Sequence, residues 1–191
     1  MNEVDKKKSE IRSKYLKIRK SVLDKKKKSL DICTKLILTE EYQNSKIIAL
    51  YKNLETEVDT NQLIEVSVKN GKIVALPRVE NDNMVFYKIN SLNDKLEKNE
   101  FGIYEPISNI ENIINKDELD LVIVPGICFD KNMNRLGFGK GFYDKFLFNS
   151  KSKILGICFE EQVLCDENIP FTRYDVKMQK VITDKKVYKG E

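Results

Sequence analysis

The sequence predicts an α/β fold: a three-layer α/β/α arrangement around an open, mostly parallel sheet, in a single domain spanning residues 1–191. Three observations carry this. Short apolar runs of strand type alternate with helix-patterned segments along the chain. The most apolar run, in LDLVIVPGICF (119–129), lacks polar alternation, as expected of a central strand buried on both faces. The chain of 191 residues contains no linker rich in Pro, Gly or Ser and no low-complexity segment, which fits one domain with a real core.

In chain order, residues 8–22 place Ile11, Tyr15, Ile18 and Val22 at helical spacing, with lysines and arginines between them. Asp24 stands where it could cap a second helix, whose Leu30, Cys33 and Ile37 form another apolar stripe. Two basic amphipathic helices, over about 5–38, are thus expected to pack on the α/β core. KIIALY (46–51) reads as the first strand, followed by a polar loop and a helix at about 59–70 that Asn70-Gly71 ends. KIVALP (72–77) is the next strand, and MVFYKI (84–89) a third, at an edge or in a hairpin. Beyond the central run, FYDKFLF (142–148) reads as a helix, KILGICF (153–159) as another buried strand and KVITD (180–184) as a last one. GICF occurs at 126–129 and again at 156–159, too short a match to define a repeat.

The chain holds no histidine, which excludes a Ser-His-Asp triad, a Cys-His pair and histidine-bound zinc. Carboxylates, lysines, arginines, tyrosines or a hard metal must carry any chemistry. Its four cysteines show no close metal-binding spacing, and their apolar settings suggest buried thiols in a reducing cytoplasm. No apolar run approaches the ~20 residues of a membrane span, and no secretory signal is expected at the N-terminus. Charge is uneven: residues 1–40 hold 13 Lys+Arg against 6 Asp+Glu, whereas the remainder holds 21 against 24. A basic end reads either as a solvated helix surface or as a face for a phosphate or nucleic-acid partner.

The segment RLGFGKGFYD (135–144) sets three glycines at alternate positions between an arginine and an aspartate. It follows the central strand and precedes a helix, at the sheet edge where α/β folds hold ligands. Glycines let backbone N–H groups converge on an anion, and Arg135 and Lys140 add positive charge. The spacing matches neither GxxxxGK[ST] nor GxGxxG, so a structural loop and a phosphate cradle stay equally open on spacing alone.

The longer stretch PGICFDKNMNRLGFGKGFYDKFL closely resembles the signature of the 5-formyltetrahydrofolate cyclo-ligase, or methenyltetrahydrofolate synthetase, family, approximately PG-x-x-FD-x-x-x-x-RLG-x-G-x-G-[FY]-YD. KSEIR, ETEVDT, LPRV, FGIYEP and IPFTRYDVKMQKVIT match in order, so the resemblance covers nearly the whole chain. It implies an ATP- and Mg2+-dependent conversion of 5-formyltetrahydrofolate to 5,10-methenyltetrahydrofolate. In that scheme the formyl oxygen attacks the γ-phosphate and N10 then closes the ring. Positioning and charge neutralisation matter more than a base, which suits a chain without histidine.

Carried over by position, the resemblance assigns Lys8 and Arg12, one helical turn apart, as ATP contacts. It assigns Arg135, Leu136, Gly137, Phe138, Gly139, Lys140, Gly141, Phe142 and Tyr143 as the triphosphate loop, with Arg135 and Lys140 as its catalytic cations. Asp144 and Asp175 correspond to magnesium ligands. Lys52, Glu57, Phe101 and Tyr143 correspond to folate contacts, with Glu57 suited to the donor edge of a pterin. Phe142 stands where many members have tyrosine, Tyr174 where a polar residue is frequent, and Lys140 where others have glycine. An RNA-binding module built on the basic helices would lack aromatic–basic interleaving and leave the glycine segment unexplained. A different ATP-dependent ligase or kinase is the other alternative. The expected partners are the two small-molecule substrates, with no nucleic acid and no membrane, and a monomeric state.

Overall fold

The computed structural model describes residues 3–100 and 102–190. Three helices open the chain: α1 (Glu3–Ser21), α2 (Lys25–Ile37) and the short α3 (Glu40–Asn44). They are followed by β1 (Ile47–Ala49), α4 (Asn61–Lys69), β2 (Ile73–Glu80) and β3 (Asn83–Ile89). A small hairpin of β4 (Leu96–Lys98) and β5 (Tyr104–Pro106) precedes β6 (Ile113–Ile114) and β7 (Leu121–Val124). Then come β8 (Cys128–Asp130), β9 (Arg135–Leu136), α5 (Phe142–Leu147) and β10 (Lys153–Ile157). The chain finishes with β11 (Val163–Leu164), β12 (Lys180–Ile182) and β13 (Val187–Lys189).

Eight strands form the main sheet in the order β13-β12-β10-β7-β1-β2-β3-β6. The five from β12 to β2 run parallel, and β3, β6 and β13 add antiparallel edges. The expected open, mostly parallel sheet is therefore present, and MVFYKI lies in a hairpin with β2. Side chains alternate between the two faces with the period of two that a strand imposes. Ile48, Leu50, Val74, Leu76, Leu121, Ile123, Leu155 and Ile157 enter one core, beneath α2 and α4. Ala49, Ala75, Val122, Val124 and Ile154 enter the other, shared with Leu147 of α5. All four residues of β7 are buried, as its unbroken apolar run requires.

The structure departs from the sequence reading in several places. The run 119–129 is two strands: β7 ends at Val124, Pro125-Gly126 turns the chain, and β8 joins a separate three-stranded sheet, β11-β8-β9. Helix α1 does not lie on the main sheet. Its Ile11 and Tyr15 pack on that smaller sheet, against Ile127, Cys128, Leu136 and Leu164. Asp24 is in the cap position of α2, but it adopts φ 54° and its side chain makes no capping hydrogen bond. Cys33, Cys128 and Cys158 are buried thiols, whereas Cys165 is exposed.

The two GICF segments meet at one ring. Phe129 is fully buried, and a β-carbon on Gly126 or Gly156 would stand 2.6 Å or 2.4 Å from its ring atoms. Both glycines are therefore space for Phe129. Gly156→Ala should cost about 1–3 kcal/mol by overpacking. In a urea-unfolding cycle with Phe129→Leu, the double variant should lose less than the sum of the singles. Strict additivity would mean that the ring is free to move aside.

Candidate functional site

The parallel sheet reverses direction at β1: the chain passes from β1 to β2 on one side and later builds β7, β10 and β12 on the other. Such a switch point opens a crevice beyond the carboxyl ends of the strands. A cavity of about 880 Å³ lies there, lined by residues that follow β1 (Tyr51, Lys52, Leu54, Glu57) and β7 (Pro125, Gly126, Arg135–Asp144). Helix α1 closes it with Asp5, Lys8, Ser9 and Arg12, and Asp175 completes that side. Pro77, Val79, Met84, Ile103, Tyr104 and Glu105 form an opposite, largely apolar wall. Lys8, Arg12, Lys52, Glu57, the run Arg135–Asp144 and Asp175 thus come together in one place from four separate stretches of chain. Phe101 lies outside the described residues.

The three glycines have different local reasons. Gly139 (φ 101°) and Gly141 (φ 70°) adopt left-handed backbone that disfavours a β-carbon. A β-carbon on Gly137 would stand 2.7 Å from Arg135 Nη1, and one on Gly139 would stand 3.4 Å from Arg12 Nη2. Arg12 Nε donates to the Gly137 carbonyl at 2.9 Å. What approaches this bare backbone is a pair of guanidinium groups, gathered beside the loop. Phe138 and Lys140 at its tip are exposed.

Two cation–carboxylate pairs line the cavity. Lys8 Nζ donates to Asp175 Oδ2 at 2.7 Å, and Arg135 Nη2 to Asp144 Oδ2 at 2.7 Å. Burial pushes the Asp175 carboxyl up, but hydrogen bonds from Lys8 and from the Thr172 amide and hydroxyl outweigh it, leaving the group below its ordinary value. Val176 N donates to Asp144 Oδ1 at 3.2 Å, which fastens the Asp175 segment beside Asp144. Among the described residues there is no group of three or more His, Cys, Asp or Glu able to hold a metal by themselves. The two neighbouring carboxylates fit a hard cation that takes one or two protein ligands and completes its shell with phosphate oxygens and water.

Glu57, 8% exposed, accepts from Leu54 N at 2.9 Å and from Arg19 Nη1 at 3.2 Å. Burial raises its carboxyl above the ordinary value, and the Arg19 charge opposes that rise. Arg135 sits over the Tyr143 ring, 5.4 Å from its centroid, and burial pushes the Tyr143 hydroxyl well up. Lys52 donates to Asn61 Oδ1 of α4, and burial lowers its ammonium against the pull of Asp59 and Glu65. The reading by residues missed Arg19. It lies four residues beyond Tyr15, on the stripe that α1 buries, and a cation there requires a buried partner.

A cationic, glycine-bordered cavity at the carboxyl edge of a parallel sheet is the arrangement of an α/β enzyme that handles an anionic ligand. The sequence model of the 5-formyltetrahydrofolate cyclo-ligase family matches residues 4–184, and the chain belongs to that family. A probable 5-formyltetrahydrofolate cyclo-ligase of Schizosaccharomyces pombe is 33% identical over 176 residues, covering 85% of this chain and 86% of that protein. The mouse 5-formyltetrahydrofolate cyclo-ligase is 33% identical over 168 residues, covering 82% of each. The NMR structure of the Aquifex aeolicus 5,10-methenyltetrahydrofolate synthetase superposes with a TM-score of 0.82 at 33% identity, covering 95% of this chain and 92% of that one. Among the described residues no helix is long and apolar enough to cross a membrane.

The Lys8–Asp175 pair is about four-fifths buried, so it should be worth more than a solvated pair. A double-mutant cycle with Lys8→Met and Asp175→Asn, followed by urea unfolding, should give a coupling of about 1 kcal/mol at low salt. Added salt should shrink it only modestly. A coupling near zero would mean that the two groups do not hold each other in solution.

Proposed function

We propose that this protein converts 5-formyltetrahydrofolate to 5,10-methenyltetrahydrofolate with consumption of ATP and release of ADP and phosphate. The observation that carries the reading is that one cavity is lined both by cations and by a buried carboxylate. It gathers Lys8, Arg12, Arg135 and the glycine run, and it also offers the carboxylate of Glu57 together with apolar residues such as Pro77, Val79 and Met84. A triphosphate suits the cations, and a pterin, with its amino and ring N–H donors, suits the carboxylate. Membership of the family supports the same pairing.

In the proposed reaction the formyl oxygen attacks the γ-phosphorus as the bond to the β-bridging oxygen breaks and ADP departs. N10 adds to the activated carbon and loses its proton, and the carbon–oxygen bond breaks to release phosphate. Both nucleophiles belong to the substrate. The chain's part is to align the two ligands and to neutralise charge that develops on the transferred phosphoryl group. Arg135 is the cation assigned to that charge, with Lys140 beside it at the loop tip. Lys8 and Arg12 hold the nucleotide from α1. Asp144 and Asp175 would hold a magnesium ion, which supplies further charge neutralisation at the phosphates. A cytoplasmic setting is in keeping with four unpaired thiols.

Mixing the protein with Mg-ATP and 5-formyltetrahydrofolate should produce the methenyl absorbance band only when all three components are present. ATP hydrolysis without that band, and with another acceptor, would replace this reading with that of a different ligase or kinase. Glu57→Gln preserves shape and removes the charge. Losing a charge-assisted hydrogen bond of about 1.5–3 kcal/mol should weaken 5-formyltetrahydrofolate binding roughly ten- to a hundredfold, with ATP affinity unchanged. Equal losses for both ligands in calorimetry would make Glu57 a structural residue.

A further inference from the structure

Arg19 is the one cation of α1 whose side chain is withdrawn into the protein: the residue is 2% exposed. Its guanidinium touches three segments that come from different parts of the chain. Nη1 donates to Glu57 Oε1 at 3.2 Å and to the Gly126 carbonyl at 3.4 Å. The Phe138 ring, from the glycine segment, lies over it with its centroid 5.3 Å away. Nε is buried and has no hydrogen-bond partner among the described residues. An ion pair kept for stability alone would be expected to satisfy that donor. Gln162 already donates to the Gly126 carbonyl at 3.1 Å, so the turn after β7 does not depend on Arg19.

We propose that Arg19 is a positioning residue for substrate binding in the cavity: it fixes the Glu57 carboxylate toward the ligand, and through Phe138 it ties that carboxylate to the glycine segment. The inference rests on the reading of Glu57 as a folate contact. Each Glu57 oxygen accepts one bond from the protein, Oε1 from Arg19 and Oε2 from Leu54 N. Each keeps a further lone pair for a ligand donor. A flexible carboxylate would lose that aim.

The same contact determines the charge of Glu57. Burial works against the ionised form, and Arg19 is the charged group that opposes it. The other titratable groups facing Glu57 are Tyr51, just beyond β1, and Tyr143 of α5, and burial keeps both hydroxyls protonated. Lys52, nearby on the cavity wall, is engaged by Asn61. Removing the Arg19 charge should therefore raise the pH at which Glu57 ionises. Ligand binding that needs the carboxylate then strengthens as pH rises and weakens below the inflection by about tenfold per pH unit.

The test is calorimetric titration of the full-length protein with 5-formyltetrahydrofolate between about pH 6 and pH 9, each variant also titrated with Mg-ATP. Arg19→Met should lose at least roughly tenfold more folate affinity between the alkaline and acidic ends than the parent does. Arg19→Lys, which keeps the charge, should retain the parental profile with a lower affinity throughout. The Arg19→Met/Glu57→Gln double variant should lose the added slope, which separates Glu57 from titrations of the ligand itself. Should Arg19→Met fold poorly, the Lys variant carries the test: a profile steeper than the parent's in it would overturn the proposal. So would a parental profile in Arg19→Met, or equal losses of folate and Mg-ATP affinity. If Glu57→Gln alone leaves folate binding intact, the reading of Glu57 falls first, and that outcome is distinct from the failure of Arg19.

Discussion

The ring of Phe129 fills the space left by Gly126 and Gly156 at the point where the chain leaves the parallel sheet. Much of the molecule follows from that packing. Because the ring is seated against β10, the segment after Pro125-Gly126 cannot continue as an extension of β7. It turns instead into the three-stranded sheet that carries Arg135 and Leu136, and the glycine segment leaves from the end of β9. Gln162 donates to the carbonyls of Gly126 and Ile127, so these two acceptors of the turn are satisfied. The small sheet in turn gives α1 an apolar surface, and α1 is what brings Lys8, Arg12 and Arg19 to the cavity. A methyl-sized error at this ring would therefore be felt at the site as well as in stability.

The charge pairs around the cavity differ in how far they are enclosed. Lys8 and Arg135 each face a carboxylate across about 2.7 Å, and in each pair the carboxylate at least remains partly open to solvent. Such pairs are cheap to exchange, since an incoming anion and an incoming cation can replace both partners without stranding a charge. Arg19 and Glu57, by contrast, are almost fully enclosed. There, desolvation makes the loss of either partner costly and the retained pair rigid. One cavity thus combines a re-partnering charge set with a fixed one. The first suits ligands that come and go with their own counter-ion, and the second suits recognition of a neutral, hydrogen-bonding ring.

The sheet was legible because its parallel strands are nearly uniform apolar runs. KIIALY, KIVALP, LVIV and KILGI each announce a strand whose faces are both covered, and the glycine segment announced the cavity edge. The strands that were missed have two or three residues, as in β6, β9 and β11. Tertiary pairing makes them, and no local periodicity can register in so short a stretch. Asp24 has the residue type of a cap without the geometry of one, since its left-handed backbone turns the side chain away from the helix amides. Arg19 was hidden by its neighbours: in a lysine-rich helix one more cation reads as solvated, although its position on the apolar stripe marks it as buried. The cations beside the glycines also explain more of that segment than an anion alone would, because guanidinium groups already occupy the space that β-carbons would need.

The contact between Lys8 and Asp175 joins positions 167 residues apart in the chain. During synthesis the first of these leaves the ribosome long before the second is made. Helix α1 can form early, but the side of the cavity that it closes is not complete until nearly all of the sequence has emerged. The loop that this contact must close is among the longest the chain offers, and such closures come late in folding. A product cut short before residue 175 would carry the basic helix, the glycine segment and the buried carboxylate, and still lack the partner that ties Lys8 to the far end of the chain.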